Sequence, residues 1–261
     1  MSTLENIIRN RLSKIEAKYD VRILFAAESG SRAWGFASPD SDYDIRMVYI
    51  HRKEWYLTLY PGKDVIEEMD PEGLLDISGW DIRKALTLLG KGNCALYEWI
   101  SSPIVYLKDE EFFRGISSLK ERYFRRVSAI NHYYHLAVNH DKRYIEKRGS
   151  ELKRFLYHLR GLLAAKWIGK KGTFPPVLFS DLVEGMVTDP SVKERIGEIV
   201  RLKSGSREHD QVIVGEDLIR YSASLSSEVL SLIGTLPPEE HVSFAALDGF
   251  FLSMLEKSPV K

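Results

Sequence analysis

The sequence predicts an α+β protein, a small mixed-sheet core followed by an all-helical domain. Three observations carry that expectation. Apolar runs of strand length are concentrated before residue 80, and apolar residues at helical spacing fill most of the chain after it. Charge divides along similar lines. The 261 residues hold 37 Lys or Arg against 37 Asp or Glu, yet Arg114 to Lys171 has 15 of the former and 4 of the latter. That block carries a net +11 and the remainder −11, the split expected when one part of a chain meets a polyanion.

Taken in order, residues 4–18 put Leu4, Ile7, Ile8, Leu12 and Ile15 at helical spacing. Val21 to Ala27 is a buried-strand run. Ser29 to Ser41 is turn-rich, with two glycines, a proline and four serines. From Asp42 to Ile50 the chain alternates, with Asp42, Asp44, Arg46 and Val48 on one face and Tyr43, Ile45, Met47 and Tyr49 on the other. Residues 55–60 and 64–68 flank Pro61-Gly62 and read as hairpin strands, the first ambiguously. Leu74 to Ile77 is a further short strand. Beyond it Ile82, Ala85, Leu86 and Leu89 share a helix face that ends at Gly90. One long helix is expected from about 117 into the 140s. Another spans 151–168, burying Leu152, Phe155, Leu156, Leu159, Leu163 and Trp167, and more follow around 191–203, 216–233 and 243–256. The break, near 108–116, gives a catalytic domain over 1–110 and a helical, partly basic substrate-binding domain over 111–261.

Composition removes several functional classes. The single cysteine, Cys94, excludes an internal disulfide and a multi-cysteine zinc site. The first eleven residues are interrupted by Glu5, Asn6, Arg9 and Asn10, unlike a signal region, and no run approaches the roughly 20 apolar residues of a membrane span. A cytoplasmic protein without a membrane segment is expected.

Chemistry concentrates in residues 28–46: Glu28-Ser29-Gly30-Ser31-Arg32-Ala33-Trp34-Gly35, then Ser41-Asp42-Tyr43-Asp44-Ile45-Arg46. A glycine after a strand lets backbone N–H groups approach a phosphate, and a serine hydroxyl can add a hydrogen bond. Two aspartates at i and i+2 on a strand point the same way and repel unless a cation joins them. Hard oxygen donors of that kind suit Mg²⁺ or Mn²⁺. Gly-Ser alone is a common turn, and Asp-x-Asp alone a common strand end. Their order and spacing between two strands make the case.

Gly-Ser, a loop of about ten residues and Asp-x-Asp resemble the DNA polymerase β-type nucleotidyltransferase superfamily. The fuller strings resemble a bacterial and phage branch of predicted nucleotidyltransferases linked to RNA repair. The likeness continues through Asp81-Ile82-Arg83-Lys84-Ala85-Leu86, Lys91-Gly92-Asn93, Glu98-Trp99, Ser102-Pro103, Lys153 to Arg160 and Pro175-Pro176. Cys94 departs from it, standing where proline is expected. The resemblance implies transfer of a nucleoside monophosphate from an NTP to a hydroxyl, with an RNA 3′ end as favoured acceptor. Protein AMPylation and small-molecule modification keep the same chemistry, and a non-catalytic nucleotide binder keeps the fold.

The resemblance also implies a third carboxylate on a neighbouring strand. Asp76, inside an apolar strand pattern, is favoured. Asp81 is the alternative, although Ser78-Gly79-Trp80-Asp81 reads as a helix capping box. Glu67 and Asp70 are weaker candidates. Asp42, Asp44 and Asp76 are thus the expected catalytic and metal-holding residues, and Gly30, Ser31 and Arg32 the nucleotide-binding ones. For Arg32, a phosphate and a motif aspartate are equal alternatives as partner. Arg46 is expected to balance the acidic cluster, Glu28 to be structural and Trp34 to pin the loop. Lys153, Tyr157 and Arg160, at i, i+4 and i+7, are expected opposite the apolar stripe of their helix, where they could meet an RNA acceptor or triphosphate.

Overall fold

The computed structural model describes residues 3–60, 62–70, 73–146, 152–205, 214–240 and 242–257. In chain order the elements are α1 (Thr3–Tyr19), β1 (Arg22–Glu28), α2 (Gly30–Trp34), β2 (Tyr43–Ile50), α3 (Lys53–Tyr56), β3 (Val65–Met69), β4 (Leu75–Asp81), α4 (Ile82–Gly90), α5 (Cys94–Ile100), β5 (Val105–Lys108) and α6 (Glu110–Arg122). Six helices follow: α7 (Arg126–Glu146), α8 (Leu152–Lys171), α9 (Phe179–Met186), α10 (Pro190–Gly205), α11 (Glu216–Gly234) and α12 (Ala245–Glu256).

The chain forms two packing units, both discontinuous. One comprises Met1–Gly30, Asp42–Phe124 and His241–Lys261, the other Ser31–Ser41 and Arg125–Glu240. The first holds a mixed sheet of order β3-β4-β2-β1-β5. β2 and β4 run parallel, and the other neighbours are antiparallel. Period-two alternation fixes which side chains share a face. Ile45, Met47 and Tyr49 of β2 and Leu75 and Ile77 of β4 enter one core with Ile8, Leu12 and Ile15 of α1. Asp44, Arg46 and Asp76 therefore take the opposite face. Farther along that face Trp80 packs on Trp99 of α5, with ring centroids 3.9 Å apart. α12 returns from the end of the chain to this unit, its Phe250 ring 6.0 Å from Phe112 of α6.

Several expected elements take another form. Residues 53–56 are a single helical turn rather than a strand, because the chain folds back after β2 and lays Trp55 on His51, with rings 4.0 Å apart and 8° from parallel. β3 pairs instead with β4. β4 extends to Asp81, since its buried positions continue to alternate through Gly79 and Asp81. The long helix expected from 117 is two helices. Tyr123 turns inward between them, 1% exposed, and donates to the Ser243 carbonyl at 2.6 Å. α5, β5 and α9 were not anticipated.

In the second unit α8 is the central helix, packed by α7, α9, α10 and α11. Gly161 permits the approach of α7, for a Cβ there would stand 3.0 Å from the Tyr133 carbonyl oxygen. Part of the basic block is used internally. Lys166 and Lys170 pair with Glu228 at 3.0 and 3.4 Å, and Arg125 with Glu239 at 3.0 Å. Among the described residues, no helix is long and apolar enough to cross a membrane.

Candidate active site

β2 and β4 bring two carboxylates side by side. Their parallel register sets Asp44 opposite Asp76 and Arg46 opposite Ser78. Adjacent strands lie roughly 4.8 Å apart, so the two acids would repel. Arg46 answers that repulsion. Its Nη2 donates to Asp44 Oδ1 and to Asp76 Oδ2, both at 2.7 Å. Its Nη1 donates to the carbonyls of Asp76 at 3.0 Å and Ile45 at 3.2 Å. Arg46 thus balances the acidic cluster, as its position on the Asp44 face foretold. Asp42 stands exposed immediately before β2.

Gly30 is required twice over. Its φ of +62° is unfavourable for other residues, and a Cβ at this position would lie 2.3 Å from Asp44 Oδ2. Glu28 supports the same site from beneath. It is 1% exposed, accepts from the Asp44 amide at 2.8 Å and from the Tyr106 hydroxyl, and its carbonyl accepts from Ser102 Oγ at 2.6 Å. The Asp44 carbonyl accepts from the Ser29 amide at 2.8 Å. Glu28 is therefore a structural tether of β2. Of its partners, Tyr106 carries no motif that marks it in the sequence, and Ser102 stands out only within the Ser102-Pro103 pair of the family likeness.

Asp81 plays a different part. It is fully buried, caps α4 by accepting from the Arg83 amide at 2.8 Å, and accepts from the Tyr56 hydroxyl at 2.6 Å. Burial raises its carboxyl above the ordinary range, opposed by those two hydrogen bonds. The capping role read from the sequence holds, but Asp81 itself is the cap and Ser78 lies within β4. Asp70 pairs with Arg11 at 2.8 Å, and Glu67 lies on β3 opposite Ser78.

The loop 31–41 is built into the second unit. Phe36 donates its amide to the Ser31 carbonyl at 3.1 Å, and Arg32 donates to the Ser41 carbonyl at 2.5 Å. Trp34 meets the Tyr157 ring edge-on at 4.8 Å, and the Arg160 guanidinium lies 4.0 Å from the centroid of Trp34. Trp34 pins the loop. Lys203 of α10, only 2% exposed, reaches Ser38 Oγ, an anchor 165 residues away that no local pattern announces. Arg160 is also 2% exposed. The expectation that it lines an open face fails because α8 is packed on several sides and has no wholly polar face. Lys153 and Tyr157 are half-buried, with the Lys153 ammonium 5.9 Å from the Tyr157 ring.

Among the described residues, no three His, Cys, Asp or Glu side chains are gathered as a metal cage. The donors that are present nonetheless fit a hard divalent ion. Asp44 and Asp76 turn carboxylate oxygens to one shared position, as the guanidinium they hold in common demonstrates.

The model of the RNA repair pathway DNA polymerase beta family matches residues 4–253. The chain belongs to this family. An uncharacterised Bacillus subtilis protein, YcgL, is 41% identical over 203 residues, which are 78% of each chain. The crystal structure of a nucleotidyltransferase-like protein from Exiguobacterium sibiricum is similar at 11% identity and a TM-score of 0.32, over 98% of this chain and 81% of that one. Family membership makes the protein a transferase of the nucleotidyltransferase class.

Proposed function

We propose that the protein transfers a nucleoside monophosphate from an NTP to a hydroxyl, with an RNA 3′ end as acceptor. The observation that carries this reading is Asp44 beside Asp76 in register, with Gly30 against the second oxygen of Asp44. Asp42, Asp44 and Asp76 would hold Mg²⁺ or Mn²⁺. When bound, that ion supplies charge stabilisation for the attacking and leaving oxygens. Gly30 and Ser31 bind the triphosphate through backbone N–H groups and the Ser31 hydroxyl, and Arg32 adds its charge. Glu28 and Arg46 keep the two strand acids oriented. The acceptor hydroxyl attacks the α-phosphate and pyrophosphate leaves, a reaction in which positioning and electrostatics do most of the catalysis.

The division by role is residues 1–110 for catalysis and 111–261 for the substrate. Lys153 and Tyr157 are the acceptor contacts, while Arg160, 4.0 Å from the Trp34 ring centroid, supports the loop. The +11 stretch and its aromatic residues support a single-stranded polyanion, and the family's RNA repair context supports RNA.

To test this, full-length protein is incubated with Mg²⁺, α-labelled NTPs and RNA ending in a 3′ hydroxyl. Label should enter RNA with the wild type and not with Asp42→Ala/Asp44→Ala. Label entering protein bands instead would redirect the acceptor, and transfer surviving the double substitution would refute the site.

A further inference from the structure

We infer that Glu67 and Ser78 are specificity-determining residues that read the 2′ hydroxyl of the acceptor's terminal ribose, selecting an RNA end over a DNA end. This inference rests on the proposed function. β3 and β4 pair antiparallel, with Glu67 opposite Ser78 and Met69 opposite Asp76. Alternation assigns their faces. Ile66 enters the core with Leu75 and Ile77, and Glu68 turns to α1, where it accepts from the Tyr19 hydroxyl at 2.6 Å. Val65, Glu67 and Met69 therefore lie on the Asp76 face, beside Ser78 and Trp80. Of these three β3 residues, Glu67 alone presents a strong hydrogen-bond acceptor. Glu67 is exposed and Ser78 half-buried, and among the described residues no hydrogen bond or ion pair engages the carboxylate of the one or the hydroxyl of the other.

Sheet order favours the acceptor side for this pair. Gly30, to which the proposed function assigns the triphosphate, follows β1 and lies against Asp44 of β2. β4 stands on the other side of β2, and β3 beyond it. Attacking and leaving oxygens lie roughly in line. A hydroxyl attacking the α-phosphate therefore approaches from the side away from the pyrophosphate, the side of Asp76 and then of Glu67. Two residues of strand rise about 6.8 Å, so Ser78 stands one row along from Asp76. Glu67 is the diagonal neighbour of Asp76 at roughly 7–8 Å, a span that a long side chain covers. A ribose whose 3′ oxygen meets Asp76 carries its 2′ hydroxyl on the adjoining carbon. That hydroxyl both donates and accepts. It donates to the Glu67 carboxylate, as ribose hydroxyls do to acidic residues in dinucleotide sites, and accepts from Ser78 Oγ. A 2′-deoxyribose leaves both groups unanswered.

The test uses two RNAs that differ only in the last nucleotide, a ribose in one and a 2′-deoxyribose in the other, both ending in a 3′ hydroxyl. Transfer from α-labelled NTP is measured on the full-length protein with Mg²⁺, beside a thermal melt of each variant. The wild type should favour the ribose end about 10-fold in kcat/KM, the scale of one hydrogen bond to a charged group. Glu67→Ala should abolish that preference, with the loss falling on the ribose end, a split that general loss of structure would not give. Ser78→Ala should narrow the preference by less. Equal use of the two ends by the wild type, or a preference kept in full by Glu67→Ala or by Ser78→Ala, overturns the inference and leaves nucleotidyl transfer to RNA standing. Absence of transfer to either RNA by the wild type overturns the proposed function and the inference with it.

Discussion

The acids of β2 and β4 and the arginine of α8 are all charged groups, but they are held in contrasting ways. Asp44 and Asp76 are 26% and 35% exposed and share one cation. Arg160 is 2% exposed, and its guanidinium is spent on the face of Trp34. The proposed function assigns the first pair to a ligand, whereas packing assigns Arg160 to building a loop. Substitution in the first region should remove chemistry and spare the fold. In the second it should weaken the fold and touch chemistry only through the loop.

The largest expected effect is at Asp44. Asp44→Ala should lower nucleotidyl transfer about 10³-fold, the scale of losing several kcal/mol of metal-assisted stabilisation, and shift the melting temperature little because Arg46 still pairs with Asp76. Steady-state rates and a thermal melt on the same preparation check both halves, and collapse of the fold would erase the contrast. Gly30→Ala comes next. The new Cβ must displace Asp44 Oδ2 and occupy φ +62°, so kcat should fall about 10²-fold and stability by about 1–2 kcal/mol. Wild-type rates in that variant would mean that Asp44 is not poised by this contact.

Arg160→Ala tests the other side. Losing a desolvated cation–π contact and a buried stem should destabilise the protein by about 2 kcal/mol, read from denaturant unfolding. Unchanged stability with weakened RNA binding would place Arg160 with the acids instead. Glu28→Gln should cost about 1 kcal/mol through its weakened bonds to the Asp44 amide and Tyr106 hydroxyl. A fall in kcat larger than the loss of folded protein would show that this tether also sets Asp44.

The smallest effect is one of pH at His51, at the far end of β2 from Asp44. Burial lowers its imidazole from the ordinary 6.5 to about 4, partly opposed by Asp20. The unfolded chain therefore takes up the proton first. Stability is complete above pH 6.5, falls as pH drops toward 4 and loses no more from this group below that. His51→Phe should flatten that limb of the stability curve while leaving nucleotidyl transfer unchanged.

Much of the β1–loop–β2 stretch could be read in the sequence because its signals are local. Gly30-Ser31 and Asp42-Tyr43-Asp44 lie within one strand–loop–strand stretch, and alternation put Asp44 and Arg46 on one face. The choice between Asp76 and Asp81 was half legible. Asp76 read as a strand residue and Asp81 as a helix cap, but only the parallel β2–β4 register sets Asp76 beside Asp44. Partners distant in sequence left no trace, as with Tyr106 under Glu28 and Lys203 at Ser38. Arg160 was misread because helical spacing shows which residues share a stripe, not how many neighbours surround the helix. The strand expected at 55–60 failed for a related reason, since its aromatic residues serve a stack on His51 rather than a sheet.

The central claim is that the pair Asp44 and Asp76 is the reactive centre, while Asp81 belongs to the scaffold. Label transfer from α-labelled NTP to 3′-hydroxyl RNA, normalised to folded protein, tests it most directly when Asp76→Asn and Asp81→Asn are compared. The expected result is background transfer by a fully folded Asp76→Asn, and substantial transfer by Asp81→Asn at a temperature where it remains folded. Transfer retained by Asp76→Asn, or abolished in a folded Asp81→Asn, would contradict it.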